Sequence, residues 1–173
     1  MTRGHLAEVA RREALRPWHG AVGGKPSNLE PIVRRFPKWS VPEADGCWCA
    51  AFVYHCCMEA GFRFPYSPDE CVSCSLAGCG AWEEFAQKEP RIAYLLPGAC
   101  QPEPGDIVLY DRVFCNQEHD HIGIVLENLG DRLLTAEGND GNVSTVRERL
   151  REGHIRAYIR LPDGFCYQKK PCD

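Results

Sequence analysis

The sequence predicts an α+β fold in which N-terminal helices pack on an antiparallel β-sheet. Two observations carry that expectation. Apolar positions recur at helical spacing through the first half of the chain, and after Pro104 the pattern changes to short alternating or fully apolar runs separated by turn residues. The 173 residues, 44% of them hydrophobic and 25% charged, suit one compact domain with short extensions.

Leu6, Val9, Ala10 and Leu15 mark a first helix, ended by Pro17 and the glycines from Gly20 to Gly24. Residues 1–25 therefore read as an N-terminal helical extension to a domain at 26–161, with 162–173 as a polar tail. Ser27 and Glu30 have the spacing of a capping box for a second helix carrying Ile32 and Val33. Pro37 to Asp45 reads as loop. A third helix is expected from Trp48 to Ala60, its apolar stripe Cys49, Phe52, Val53, Cys56, Cys57 and Ala60, with Gly61 as its stop and Asp45 as a cap. Residues 62–80 read as a cysteine-rich loop and Trp82 to Lys88 as a short helix. Strands are expected at Ile107–Tyr110, Ile122–Glu127, Arg132–Ala136, Val143–Arg147 and His154–Leu161.

A net charge of −4 advertises no surface for nucleic acid or anionic lipid. No apolar run has the length of a membrane span, so no membrane insertion is expected. The charged N-terminus lacks the apolar centre of a secretory signal, which predicts a chain that is cytoplasmic as synthesised and reaches any outside target by another route. A monomer is expected. The eleven cysteines are an odd count, and without a signal they read as free thiols rather than a disulfide framework. The sharper alternative is a structural zinc held by Cys71, Cys74 and Cys79, with Cys56, Cys57 or Cys100 as a fourth ligand, in a non-catalytic interaction domain.

Cys49 at a helix start is the candidate nucleophile. The partial positive charge and free N–H groups of a helix N-terminus stabilise a thiolate, and the same N–H groups can hold an oxyanion. Cys47 is the rival, but it falls off the buried stripe. His121, immediately before the apolar run Ile122 to Leu126, is the candidate base. Asn128-Leu129-Gly130 reads as a three-residue hairpin loop, a register that pairs Glu127 with Asp131 and His121 with Glu137. Glu137 would then orient the imidazole, with Asn139 on the same face as an alternative or additional orienting group. A slip of one residue would put Glu137 on the other face. His119, opposite Asn139 in this register, is a rival base, and Glu118 and Asp120 read as solvated loop charges.

Four segments carry a resemblance. Trp48-Cys49-Ala50-Ala51-Phe52-Val53 resembles the nucleophile segment of CHAP domains, and Pro104-Gly105-Asp106 begins a strand as theirs does. Asp120-His121-Ile122-Gly123-Ile124-Val125 resembles their histidine strand, and Glu137-Gly138-Asn139 their Glu-Gly-Asn segment. The resemblance implies a papain-like α+β fold and a cysteine amidase or peptidase that needs no metal or organic cofactor. It assigns Cys49, His121, Glu137 and Asn139 to the site and makes peptidoglycan the common substrate of such domains. A cytosolic thiol peptidase or amidase acting on another peptide or amide is the alternative.

Overall fold

In a computed structural model that describes residues 1–168, five helices precede or flank a six-stranded antiparallel sheet. The helices are α1 (Arg3–Leu15), α2 (Glu30–Val33), α3 (Val41–Ala44), α4 (Cys49–Glu59) and α5 (Cys79–Lys88). The strands are β1 (Ala93–Leu95), β2 (Ile107–Tyr110), β3 (His121–Asn128), β4 (Arg132–Asp140), β5 (Val143–Leu150) and β6 (Ile155–Arg160). They lie in the order β1-β6-β2-β3-β4-β5, so a β2–β5 meander carries the chain to the far edge before it crosses back to set β6 between β1 and β2. No helix among the described residues is long and apolar enough to cross a membrane.

Each sheet face has its own apolar layer. Ile107, Leu109, Ile122, Ile124, Ala136 and Ile159 face α1 and α4 in the main core, as period-2 alternation requires. Val108, Tyr110, Val125, Leu133 and Tyr158 form a smaller cluster on the other face. The first twenty-five residues contribute directly to the main core. Leu6, Val9, Ala10 and Ala14 are buried there, and α1 packs against α4, β3, β4 and β5. Within the described part of the expected tail, Phe165 packs against Phe64 and Phe85. Residues 169–173 lie outside the described residues.

α4 runs as its stripe predicts. Gly61, at φ 92°, closes it: the Gly61 N–H donates to the Met58 carbonyl and the Phe62 N–H to the Cys57 carbonyl. The second helix is shorter than expected. A helix capped by Ser27 would need the Pro31 N–H to bond the Ser27 carbonyl, and proline has none. The helix therefore starts at Glu30, with Pro31 in its first turn, and the Ser27 hydroxyl accepts from the Leu29 N–H instead. The capping box forms one segment later, between Ser40 and Glu43 at α3, within a stretch that reads as loop. Two further elements escape the sequence pattern: β1, and the first turn of α5 from Cys79 to Ala81.

Pro104-Gly105-Asp106 fastens the layers together. Gly105 holds φ 87°, and a Cβ there would fall 2.1 Å from the Arg3 carbonyl oxygen, so only glycine lets α1 pass. The wholly buried Asp106 carboxylate accepts from the Glu103 N–H at 2.8 Å and from Arg160 Nε and Nη2 at 2.9 and 2.8 Å.

Candidate active site

Cys49 is the first residue of α4, and Trp48 before it makes no side-chain cap. The first N–H groups of the helix are thus free of a competing acceptor. Asp45 does not cap α4. Its carboxylate accepts from the Ala21 N–H at 2.9 Å and from Asn142 Nδ2 at 2.7 Å. Asn142 also accepts through Oδ1 from Trp48 Nε1 at 2.9 Å and from the Gly46 N–H at 3.2 Å, which fixes the approach to Cys49. Sequence reasoning missed Asn142. The EGNDGN turn beside Asp45 offered no periodic signal for it.

His121 is the first residue of β3, so its imidazole stands where the strand begins. It stacks on Tyr110, its partner on β2 (ring centroids 5.9 Å apart), and meets the edge of Phe114 at 4.8 Å. His121 Nε2 lies 2.8 Å from Glu137 Oε2. The other ring nitrogen, Nδ1, is buried and makes no hydrogen bond of ordinary geometry. The Cys49 thiol is nevertheless close enough that each group shifts the titration of the other.

The pairing of histidine and carboxylate is reached by a different register from the one expected. The hairpin pairs Asn128 with Leu133 and Glu127 with Leu134, one residue off the parity that would put Glu137 on the face of His121. A bulge at Leu126 restores it, so that Val125 pairs with Thr135 and Ile124 with Ala136. Continued along the ladder, this register sets Glu137 opposite Gly123, diagonal to His121. Gly123 leaves the room: a Cβ there would lie 3.0 Å from Glu137 Cγ.

Glu137 is wholly buried and held by more than the histidine. Thr135 Oγ1 donates to its Oε1 at 2.7 Å, and Arg149 Nε and Nη2 grip Oε1 and Oε2 at 3.0 and 2.6 Å. Burial pushes the carboxyl up, but the bonds from His121 and Arg149 outweigh it and hold it at about 2. Arg149 also lies over the Phe114 ring at 5.3 Å. Arg149 and Thr135 were not picked out from the sequence. The usable signal was that a buried carboxylate needs a counter-charge, and Arg149 sits on the neighbouring strand.

The polarisation of the pair is strong. For Cys49 a hydrogen bond from the Cys79 thiol acts first, burial opposes it, and the His121 charge adds to it, with the thiol pushed down to about 5. Burial pulls His121 down, but Cys49 and Glu137 together raise it to about 9. The two Sγ atoms of Cys49 and Cys79 are 3.6 Å apart. Both shifts run toward a thiolate beside an imidazolium.

Asn139 does not join the imidazole. The β4–β5 ladder is irregular between Glu137 and Asp140, Asn139 takes φ 64°, and its Nδ2 donates to the Gly46 carbonyl at 2.9 Å. It steadies the loop before Cys49 instead. Gly138, between them, faces α4, where a Cβ would fall 2.5 Å from Phe52 Cβ. The rivals are engaged elsewhere. Cys47 is exposed and its thiol donates to the Glu43 carbonyl, while His119 Nε2 lies 2.6 Å from Glu83 Oε2. Asp120 is not simply a solvated charge. Its Oδ2 accepts from the Phe114 and Cys115 N–H groups and shapes the loop that brings Phe114 to His121.

Among the described residues no group of three or more His, Cys, Asp or Glu side chains is gathered to hold a metal ion. Cys56 and Cys57 are locked in the core, Cys71 donates to the Ala81 carbonyl, and Cys79 faces Cys49. The spacing along the loop suggested ligands, but its thiols point to different partners. Beside the thiol pair lies a cleft of about 640 Å³ lined by Phe36, Trp39, Cys47, Tyr66, Cys74 and Gly78 among others.

A sequence model of the CHAP domain matches residues 41–139 of this chain. No curated protein matches it. Among solved structures, the crystal structure of Ly7917 is similar with a TM-score of 0.51 and 17% sequence identity. The match covers 94% of this chain and 63% of that one, so the chain spans less than two thirds of Ly7917, and the likeness is one of fold alone.

Proposed function

Since this chain belongs to the CHAP domain family, a family of cysteine amidases and peptidases, we propose that it hydrolyses amide bonds in peptidoglycan with Cys49 as nucleophile and His121 as base. The observation that carries this reading is the line of groups at the start of β3. Glu137 holds Nε2 of the buried imidazole at 2.8 Å, which leaves Nδ1 unbonded on the ring that polarises the Cys49 thiol.

In the proposed reaction the Cys49 thiolate attacks an amide carbonyl carbon, and the backbone N–H of Cys49 helps hold the oxyanion. Nδ1–H of the imidazolium protonates the leaving amine. His121 then takes a proton from water, which attacks the thioester and releases the acid and the free thiol. Glu137, gripped by Arg149 and Thr135, keeps the ring in the working tautomer throughout. The adjoining cleft, with the rings of Phe36, Trp39 and Tyr66 in its wall, is the proposed seat for the acyl part of the substrate.

The test is mass spectrometry of purified cell-wall fragments after incubation with the wild-type chain and with Cys49→Ala. New amino and carboxyl ends that appear only with the wild type support the reading. Identical fragments from both proteins overturn it.

A further inference from the structure

We propose that Cys49 and Cys79 form a reversible disulfide, a modification site that takes a peroxide as oxidant and a dithiol as reductant. That such a bond would take the nucleophile out of action rests on the hydrolase reading above; the bond itself does not.

The two thiols are free and lie 3.6 Å apart, at the first residues of α4 and α5. A disulfide needs an S–S separation of about 2.05 Å. The gap to close is on the order of 1.5 Å, within the reach of side-chain rotation at two helix tips. The uncapped tip of α4 favours Cys49 as thiolate, while the hydrogen bond to Cys49 and burial push the Cys79 thiol up, so Cys49 is the sulfur that meets the oxidant and Cys79 the one that resolves it. Both residues are nearly buried, and each keeps a small exposed fraction, 7% and 8%, at which a small oxidant could act. The cleft of about 640 Å³ is lined by Cys47, two residues before Cys49, and by Gly78, immediately before Cys79. In the hydrolytic scheme the Cys79 thiol acts only through its hydrogen bond to the Cys49 sulfur, and that same contact sets the two sulfurs side by side for oxidation.

The other thiols are poorer partners. Cys56 and Cys57 are wholly buried, and neither thiol makes a hydrogen bond to Cys49 among the described residues. The exposed Cys47 thiol donates to the Glu43 carbonyl. Cys74 is the closest rival, since its Sγ would lie 2.6 Å from a Cβ on Gly78, but its thiol has no contact with Cys49 among the described hydrogen bonds.

The chemistry balances in two steps. The Cys49 thiolate attacks one peroxide oxygen, the O–O bond breaks, and the leaving oxygen departs as water after taking a proton, which leaves Cys49 as sulfenic acid. The Cys79 sulfur then attacks Cys49 Sγ, the S–O bond breaks, and hydroxide leaves with the Cys79 proton as a second water. Two thiols lose two electrons and two protons, and the peroxide is reduced. A dithiol returns both electrons and both protons by exchange.

The experiment treats the folded wild-type chain with hydrogen peroxide, blocks remaining thiols with N-ethylmaleimide and digests with trypsin without reductant. Cleavage after Lys38, Arg63 and Lys88 puts Cys49 in the peptide Trp39–Arg63 and Cys79 in Phe64–Lys88. The expected product is these two peptides linked, with fragment ions assigning the bond to Cys49 and Cys79 and with dithiothreitol abolishing it. In Cys79→Ser, peroxide is expected to carry Cys49 on to sulfinic acid, which dithiothreitol does not reverse. A chain without the link, or one in which Cys49 joins Cys47 or Cys74, overturns the proposal, and so does dithiothreitol recovery of a reduced Cys49 in Cys79→Ser. The mapping in wild type stands even where Cys79→Ser misfolds. If the link forms in a protein that leaves cell wall uncut, the hydrolase reading falls and the disulfide stands.

Discussion

At the scale of single residues, the charges at the site set the pH range in which it can work. The thiol of Cys49 is pushed down to about 5 and the imidazole of His121 raised to about 9. Below the first value the nucleophile takes up a proton; above the second the ring loses the proton it must give to the leaving amine. The pH profile of kcat/KM is therefore expected to be bell-shaped, with an acid limb near 5 and an alkaline limb near 9. Glu137 is one of the groups that raise His121, and burial works against it. Glu137→Gln should move the alkaline limb to lower pH and lower kcat/KM by roughly 10²–10⁴-fold. Rates measured across pH on both proteins check this, with circular dichroism to confirm folding, because the substitution also takes from Arg149 its nearer counter-charge and leaves it Asp140 at 3.8 Å. An unchanged alkaline limb would remove Glu137 from the role of positioning His121.

At the scale of elements, the Glu137-Gly138-Asn139 segment does three separate jobs on one strand. Glu137 faces His121, Gly138 lets α4 lie against β4, and Asn139 bonds the Gly46 carbonyl on the loop leading to Cys49. The middle position is the most constrained sterically. A Cβ on Gly138 would fall 2.5 Å from Phe52 Cβ and 2.7 Å from Trp48 Cζ3, and both residues are wholly buried. Gly138→Ala must push α4 away from the sheet, at a cost of about 1–3 kcal/mol. Urea unfolding measures that loss. Because Cys49 rides on the same helix, activity should fall below what the loss of folded protein explains. A variant as stable and as active as wild type would show that the helix can sit farther from β4 without consequence.

At the scale of the whole molecule, Asp106 ties parts of the chain that are far apart in sequence. It pairs with Arg160 of β6, lies 3.5 Å from Arg3 Nη1 of α1, and immediately precedes β2, the strand that neighbours β3. Asp106→Asn removes the buried charge, but Arg3 and Arg160 are partly exposed and both keep Glu103 at 2.8 Å, so the cost is that of an ill-matched buried hydrogen-bonding group, about 1–3 kcal/mol. For a chain of this size that lowers Tm by about 2–12 °C. The residue lies at the opposite end of β2 from Tyr110, the partner of His121. The kcat of the folded protein at low temperature should therefore change little. Calorimetry and rate measurement on the same preparation separate the two effects, and a collapse of kcat without loss of Tm would contradict the assignment of Asp106 to the scaffold.

Local sequence was enough for much of this protein. The stripe from Cys49 to Ala60, the alternation after Pro104, and the places of Cys49 at a helix start and His121 at a strand start follow from periodicity and the needs of a thiolate. Ser27 misled because the missing N–H of Pro31 outweighed a cap-like spacing. What the tertiary structure alone decided was who meets whom across long stretches of chain. The bulge at Leu126 sets which face Glu137 occupies, Arg149 arrives from another strand to balance its charge, and Cys79 comes from a separate helix to lie against Cys49. Sequence patterns encode the face each residue offers to its own element. Register shifts, counter-charges and contacts between elements are fixed only when all the layers pack together.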